Sequence, residues 1–295
     1  MSGEDDPTED GGDERRDGDG AEVTSEADAI ERMDDPLTVG RIAADLRELG
    51  VEAGDTLLVH SSLSALGWVA VGPSAVVDAL LEVVGPDGTL AMPTHSTQYS
   101  DPTGWRNPPV PDDWVGRIRA ERPPYRPAVT PTRGMGAIPE CFRSYPGAIR
   151  SRHPTYSFAA RGADAEFVVA DHAYDHGLGE GSPLARVYDR DGSVLMLGTG
   201  YDTNTSFHLA EHRADREQTA STHEAPVVGP DGDRETVTYE QLDYDSSDFA
   251  EVGRDFEDER PEAVTAGSVG LADAKLVSQR DLVDYAAEWF ERNRE

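Results

Sequence analysis

Lysine is all but missing from this chain. Lys275 is the one lysine in 295 residues, and every other base is arginine. Cysteine occurs once, at Cys141, which excludes a disulfide framework and any Cys-x-x-Cys metal site. It stands in Ile-Pro-Glu-Cys-Phe-Arg and reads as a core thiol on the buried side of a helix rather than a nucleophile. No apolar run approaches membrane-span length, and the first residues carry no hydrophobic segment, so the expectation is a soluble, cytoplasmic protein without a membrane partner. A Gly-x-Ser-x-Gly elbow is absent, which argues against an α/β-hydrolase. Walker and dinucleotide glycine fingerprints are absent too, and no internal repeat is visible.

What the chain has in excess is acid: 58 Asp and Glu against 26 Lys and Arg, a net charge of −32. Residues 1–35 hold 15 acids and 3 bases, so they supply −12 of that total and leave −20 for the rest. With almost nothing to bury, residues 1–35 are predicted to be a disordered acidic tail ahead of a folded domain over 36–295. An acidic surface nearly free of lysine suits a cytoplasm of very high salt, where screening makes self-repulsion tolerable. Nucleic acid is disfavoured as a partner, because phosphate contact needs basic surface. A small cationic substrate is favoured, and a homodimer stays open.

The hydrophobic pattern predicts a helix from Thr38, as its cap, to about Leu49, then a buried strand over Thr56–Val59 ending in His60-Ser61-Ser62. A helix over 75–84 with Pro73 near its start and a strand over 88–93 complete a βαβ unit. Residues 97–131 read as a long irregular loop of the kind that walls a binding site. A helix over 140–145, a strand over 155–160 and a short helix over 163–170 follow. Ser182 caps a helix over 183–188, Ser193–Gly198 is a buried strand, and residues 199–212 are a loop entering a helix. A hairpin turns around Pro230-Asp-Gly232. A polar acidic stretch covers 243–260, a strand covers 271–277, and Ser278 caps a last helix over 281–290.

Polar residues collect at three strand ends: His60-Ser61-Ser62, Thr94-His95-Ser96, and Asp202 through Glu211. Open α/β sheets bind ligands at such ends. His153, fixed in an extended backbone by Pro154 with Thr155 and Ser157 behind it, is placed as a catalytic base often is, and equally as a structural loop histidine. His208-Leu-Ala-Glu-His212 matches the His-x-x-Glu-His pattern of one class of zinc peptidases. On a helix His208 and His212 share a face and could share a zinc, with Glu211 as base. No downstream glutamate ligand is evident. His172 and His176 repeat the spacing in loop surroundings.

Five segments occur here in one order: Val59-His-Ser-Ser-Leu-Ser-Ala-Leu-Gly67, Thr132-Arg-Gly-Met-Gly-Ala-Ile-Pro-Glu140, Arg150-Ser-Arg-His-Pro-Thr-Tyr-Ser-Phe158, Gly181-Ser-Pro-Leu184 and Asp202-Thr-Asn-Thr-Ser-Phe-His-Leu-Ala-Glu211. That series, over about residues 36–292, resembles the aminoglycoside 3-N-acetyltransferase family. The resemblance implies an α/β fold distinct from the GNAT acetyltransferases, a three-layer sandwich with a mixed central sheet and an inserted loop-rich region. It implies acetyl transfer from acetyl-CoA, as co-substrate, directly to an amine of an amino sugar, with no metal. On this analogy His153 is the general base and Glu180 a candidate to orient it. His60, Ser61, Ser62, Leu63 and Ser157 would line the pantetheine channel, and Asp202, Asn204, Thr205, His208 and Glu211 would face the substrate. A histidine base suits the chemistry, since an alkylammonium must lose a proton before it attacks a thioester. The remaining alternatives are a zinc hydrolase and acylation of a cellular amine that is not an antibiotic.

Overall fold

The computed structural model describes residues 26–106 and 108–294. The chain starts with α1 (Glu26–Glu31) and α2 (Val39–Glu48), then β1 (Thr56–Ser61), α3 (Pro73–Val84) and β2 (Thr89–Pro93). Next come α4 (Asp112–Glu121), α5 (Ala137–Phe142), β3 (Ile149–Arg150), β4 (Phe158–Gly162), α6 (Ala165–Val169), α7 (Pro183–Asp189) and β5 (Ser193–Leu197). The last part holds α8 (Ser206–Arg213), β6 (Ala220–Val228), β7 (Arg234–Leu242), α9 (Phe249–Glu259), β8 (Val264–Val269), β9 (Ala272–Ser278) and α10 (Gln279–Asn293).

A seven-stranded sheet runs in the order β3-β4-β2-β1-β5-β9-β8. Its centre is parallel, with β1 between β2 and β5, and its flanks are antiparallel. Alternate residues along β1 enter opposite cores: Leu57 and Val59 pack with α2, α3 and α5, while Leu58 packs on the other face with α6 to α10. That alternation, the period of two of a strand, makes the three layers. The mixed α/β fold expected from the sequence is the one observed. The long β6–β7 hairpin pairs outside this sheet, from Ala220↔Leu242 to Val228↔Arg234.

Local signals account for most element starts. Thr38 Oγ1 accepts the Arg41 N–H, and Ser182 and Ser278 cap α7 and α10 in the same way. Four expectations need correction. Residues 1–25 lie outside the described residues, but 26–35 are ordered rather than part of a tail. Ala29 is buried, and Met33 Sδ accepts the Trp68 N–H at 3.0 Å beside Gly67, where a Cβ would meet that sulfur at 2.5 Å. Residues 97–131 are not one loop, because α4 forms within them with Asp112 and Asp113 in its first turn, where acids suit the helix dipole. The acidic stretch 243–260 contains α9, whose Phe249, Val252 and Phe256 form a buried stripe at helical spacing. The strand expected over 155–160 begins only at Phe158.

Candidate active site

The carboxyl ends of the three parallel strands meet at one place. Val59, His60 and Ser61 of β1, Pro93 of β2, and Thr199 just after β5 line a small cavity of about 110 Å³ together with Gly134, Met135 and Thr205. Ligands bind at this edge of an α/β sheet, where the central strand sends its neighbours to either side. Ser61, Gly134 and Met135 also belong to an adjoining groove of about 880 Å³, walled by Ser62, Leu63, Ser64, Trp68, Gly136 and Ala137 and closed on one side by Glu26 and Ala29 of α1. Gly134 and Gly136 both sit at positive φ, +72° and +83°, which lets that wall turn tightly past Ser61.

Helix α8 brings three of the expected residues together. Thr205, at its N-cap, His208 and Glu211 follow at intervals of three and so lie along one side. Thr205 reaches the small cavity, where its hydroxyl stands 3.5 Å from His60 Nε2. His208 Nδ1 is 2.6 Å from Glu211 Oε2. That bond fixes the tautomer: Nδ1–H donates to the carboxylate, and Nε2 keeps its lone pair. Among the described residues none bonds to His208 Nε2. Tyr244 and Phe249 pack on the ring, with centroids 4.4 and 5.0 Å away.

Glu211 is 3% exposed, yet ionised. Burial pushes its pKa up, but hydrogen bonds from His208, from Arg294 at 2.6 Å and from the Asp245 N–H at 3.1 Å outweigh that and hold it below the ordinary carboxylate value. On the far side of Glu211 lies a third hollow, of about 420 Å³, bordered by Glu217, Asp243 and Asp245 as well as Arg216 and Arg294. The side of α8 from Thr205 to Glu211 therefore runs from the strand-end cavity to an acid-rimmed one, with His208 between. Two further imidazoles lie close enough to His208 to interact with it electrostatically. Burial first, and then the neighbouring His208, lower His60 to about 4 and His95 to about 3, so both are neutral at pH 7. His95 Nε2 is buried with no partner among the described residues.

Residues 58–291 match the family model described as aminoglycoside 3-N-acetyltransferase. The chain belongs to this family. It is an acyltransferase of the aminoglycoside N(3)-acetyltransferase type. It is similar to the prophage-derived aminoglycoside N(3′)-acetyltransferase-like protein YokD of Bacillus subtilis, 44% identical over 265 residues, covering 90% of this chain and 96% of that one. The crystal structure of YokD matches with a TM-score of 0.87. Aminoglycoside N(3)-acetyltransferase VII of Streptomyces paromomycinus is 37% identical over 284 residues, covering 89% of this chain and 94% of that one. Among solved structures, the binary complex of AAC-IIIb with CoASH matches with a TM-score of 0.77 and 33% identity, covering 88% of this chain and 97% of that one.

Within this acetyltransferase the geometry corrects the role expected for His153. The residue is fully buried. Its Nδ1 accepts the N–H groups of Thr155 at 3.1 Å and Tyr156 at 3.0 Å, and its Nε2–H donates to the Tyr174 carbonyl at 3.1 Å. A Cβ on Gly177 would meet Nε2 at 2.4 Å. No lone pair is left for a substrate, and burial together with His172 keeps the ring neutral. Such a ring, with both nitrogens bonded inside the fold, is placed as a structural loop histidine is. Glu180 does not orient it: its carboxylate is largely exposed and pairs with Arg213 at 2.7 Å.

The other expected residues divide. His60, Ser61, Ser62 and Leu63 do line the strand-end cavities. Ser157 does not; it is wholly buried, donating to the Thr94 carbonyl at 2.8 Å and accepting from Arg150 Nε at 3.1 Å. Thr205, His208 and Glu211 come together as described. Asn204 is buried, its Oδ1 bonded to the Ser206 N–H and its Nδ2 without a partner among the described residues. Asp202 is exposed on the preceding turn. The zinc reading lacks its ligand set. His208 is bonded to Glu211, His212 Nε2 is bonded to the Tyr244 hydroxyl at 2.9 Å, and among the described residues no group of three His, Cys, Asp or Glu is arranged to hold a metal.

Tyr244, Arg294 and the Gly134–Ala137 wall adjoin the site as well, beyond the residues expected from the sequence. Gly134 and Gly136 carried a signal, two glycines flanking Met135 just before a helix. Tyr244 and Arg294 carried none, because each reaches the site only through tertiary packing.

Proposed function

We propose that this chain transfers the acetyl group of acetyl-CoA directly to an amine of an aminoglycoside, with His208 as general base and Glu211 as its orienting carboxylate. The observation that supports this best is the 2.6 Å bond from His208 Nδ1 to Glu211, which leaves Nε2 to take a proton. The 880 Å³ groove suits the pantetheine arm, with Ser62 and Ser64 as hydroxyl partners and the thioester end directed toward His60 and Thr205. A CoASH-bound relative of similar fold supports that co-substrate. The hollow beyond Glu211 has four carboxylates, Glu211, Glu217, Asp243 and Asp245, against Arg216 and Arg294, a net acidic lining that suits a cation.

The step then balances simply. The amine nitrogen gives a proton to His208 Nε2 as it bonds to the thioester carbonyl carbon. The C–S bond breaks, and the sulfur leaves as thiolate and is reprotonated by the imidazolium. Charge developing on the carbonyl oxygen needs donors, and the Thr205 hydroxyl faces the same cavity. No acyl-enzyme is required. Cys141 is a poor nucleophile in any case, since burial and Asp78 push its thiol up.

The test is release of free thiol from acetyl-CoA in molar salt across a panel of aminoglycosides and linear polyamines. Turnover with an aminoglycoside, and a new amide at its 3-amino group, is the expected result. Turnover with polyamines alone would move the substrate to a cellular amine. No thiol release with any amine would overturn the reading.

A further inference from the structure

We infer that Arg294, just past the end of α10, is a positioning residue for the reaction: its guanidinium holds Glu211 in place for His208 and neutralises part of its charge. The inference rests on the reading of His208 as base. Arg294 Nη1 donates to Glu211 Oε1 at 2.6 Å, while His208 takes the other oxygen of the same carboxylate. The guanidinium is itself fixed on every side. Nε donates to Asp248 Oδ2 at 2.7 Å, Nη2 bonds to Asp248 and to the Asp245 carbonyl at 2.6 Å, and the plane lies over the Phe290 ring at 3.7 Å. Its side chain is 10% exposed. Phe249 packs against both His208 and Arg294, so one aromatic wall aligns the two ends of the chain His208–Glu211–Arg294.

The charge sharing has a readable consequence. His208 is faced by Glu211 and His212 on its own helix, by His60 at the end of β1, by His95 after β2 and by Tyr244 after β7. Glu211 is faced by His208, by Tyr244, by the Asp245 N–H and by Arg294. Among the described residues Glu211 is the carboxylate hydrogen-bonded to His208, and Arg294 is a cation hydrogen-bonded to Glu211. Take away that cation and the full carboxylate charge acts on the imidazolium, which then forms more readily. The acid limb of the rate profile must move to higher pH, and the carboxylate, less firmly held, must orient the ring less well.

The experiment compares Arg294→Gln and Arg294→Lys with the parent, using acetyl-CoA and an aminoglycoside, with His208→Ala as a reference. Arg294→Gln keeps a donor but loses the charge. It should cut kcat about tenfold, part of what a general base supplies, leave the KM for acetyl-CoA unchanged, and raise the acid-limb pKa by several tenths of a unit or more. Arg294→Lys should restore the limb to near its parent position and recover much of kcat. A merely structural residue would lower the melting temperature and leave the limb in place; that result would overturn the inference. Should Arg294→Gln fail to fold, Asp248→Asn loosens the same guanidinium, and an unchanged kcat and limb there would be equally contrary. If His208→Ala itself keeps parental activity, it is the base assignment that has failed, not the Arg294 step alone.

Discussion

Of His153 and His208, only His208 keeps a ring nitrogen without a hydrogen-bond partner among the described residues. His153 accepts two backbone N–H groups and donates to one carbonyl, so its role is to tie residues 153–156 to residues 174–177. What closes over it comes from far along the chain: the Tyr239 ring packs at 5.3 Å, and Tyr239 OH bonds to Thr155 at 2.9 Å. The local pattern His-Pro-Thr-x-Ser carries no trace of that cover, which is why the sequence reading favoured it. Replacing His153 by Ala orphans those buried groups at about 1–3 kcal/mol each. We expect a melting temperature lower by several degrees, with acetyl transfer by the folded fraction in molar salt within an order of magnitude of the parent. A full loss of turnover in well-folded protein would count against this. Arg150 is a similar case: it is buried without a carboxylate, donating to the carbonyls of Thr94, Pro127 and Thr130 and to the hydroxyls of Thr94, Ser96 and Ser157. Lysine has too few donors in the wrong geometry for that cage, so Arg150→Lys should destabilise despite keeping the charge.

At the scale of elements, α2, β1, α3, β2, α7 and β5 were legible because each combines a clear period with a cap or a glycine stop. Elements β8 and α9 were not. Strand β8 is an edge strand with Val269 as its one buried residue, so it lacks an apolar run. In α9 the stripe Phe249, Val252, Phe256 is diluted by acids on its outer face. That helix is nonetheless tightly seated. A Cβ on Gly253 would meet Tyr201 Cγ at 2.0 Å, in the turn that leads into α8. Gly253→Ala therefore forces α9 away from Tyr201, at a cost of about 1–3 kcal/mol for an overpacked contact. Calorimetry should record the drop. An unchanged or raised melting temperature would mean that α9 packs differently.

For the whole molecule, charge decides. With 58 acids and 26 bases, acids outnumber bases by more than two to one, and several of the ion pairs among the described residues sit at the surface. Screening at molar ionic strength shortens the Debye length to roughly 3 Å, so the melting temperature should rise steeply from low salt to molar KCl. A flat response would remove the high-salt expectation. Acid should act through the buried imidazoles. His60, His172 and His212 are lowered to about 4 and His95 to about 3, by burial first in each case. Groups with depressed folded values leave the unfolded chain binding more protons, so stability is full above the unfolded value of 6.5. It is lost as pH falls from there toward 4, at up to about 1.4 kcal/mol per pH unit for each histidine. Glu211 and the other paired carboxylates add their losses from about their unfolded value of 4.5 downward. Stability in molar salt that stays level from pH 7 to pH 5 would contradict the buried, neutral state of these rings.

The proposed mechanism turns on His208, and one measurement addresses it most directly: single-turnover acetyl transfer to an aminoglycoside by His208→Ala, with acetyl-CoA binding determined on the same sample. The prediction is binding retained and transfer slowed by about 10²–10⁴-fold, the usual share of a general base. Transfer within a few-fold of the parent, with folding and binding intact, would contradict it.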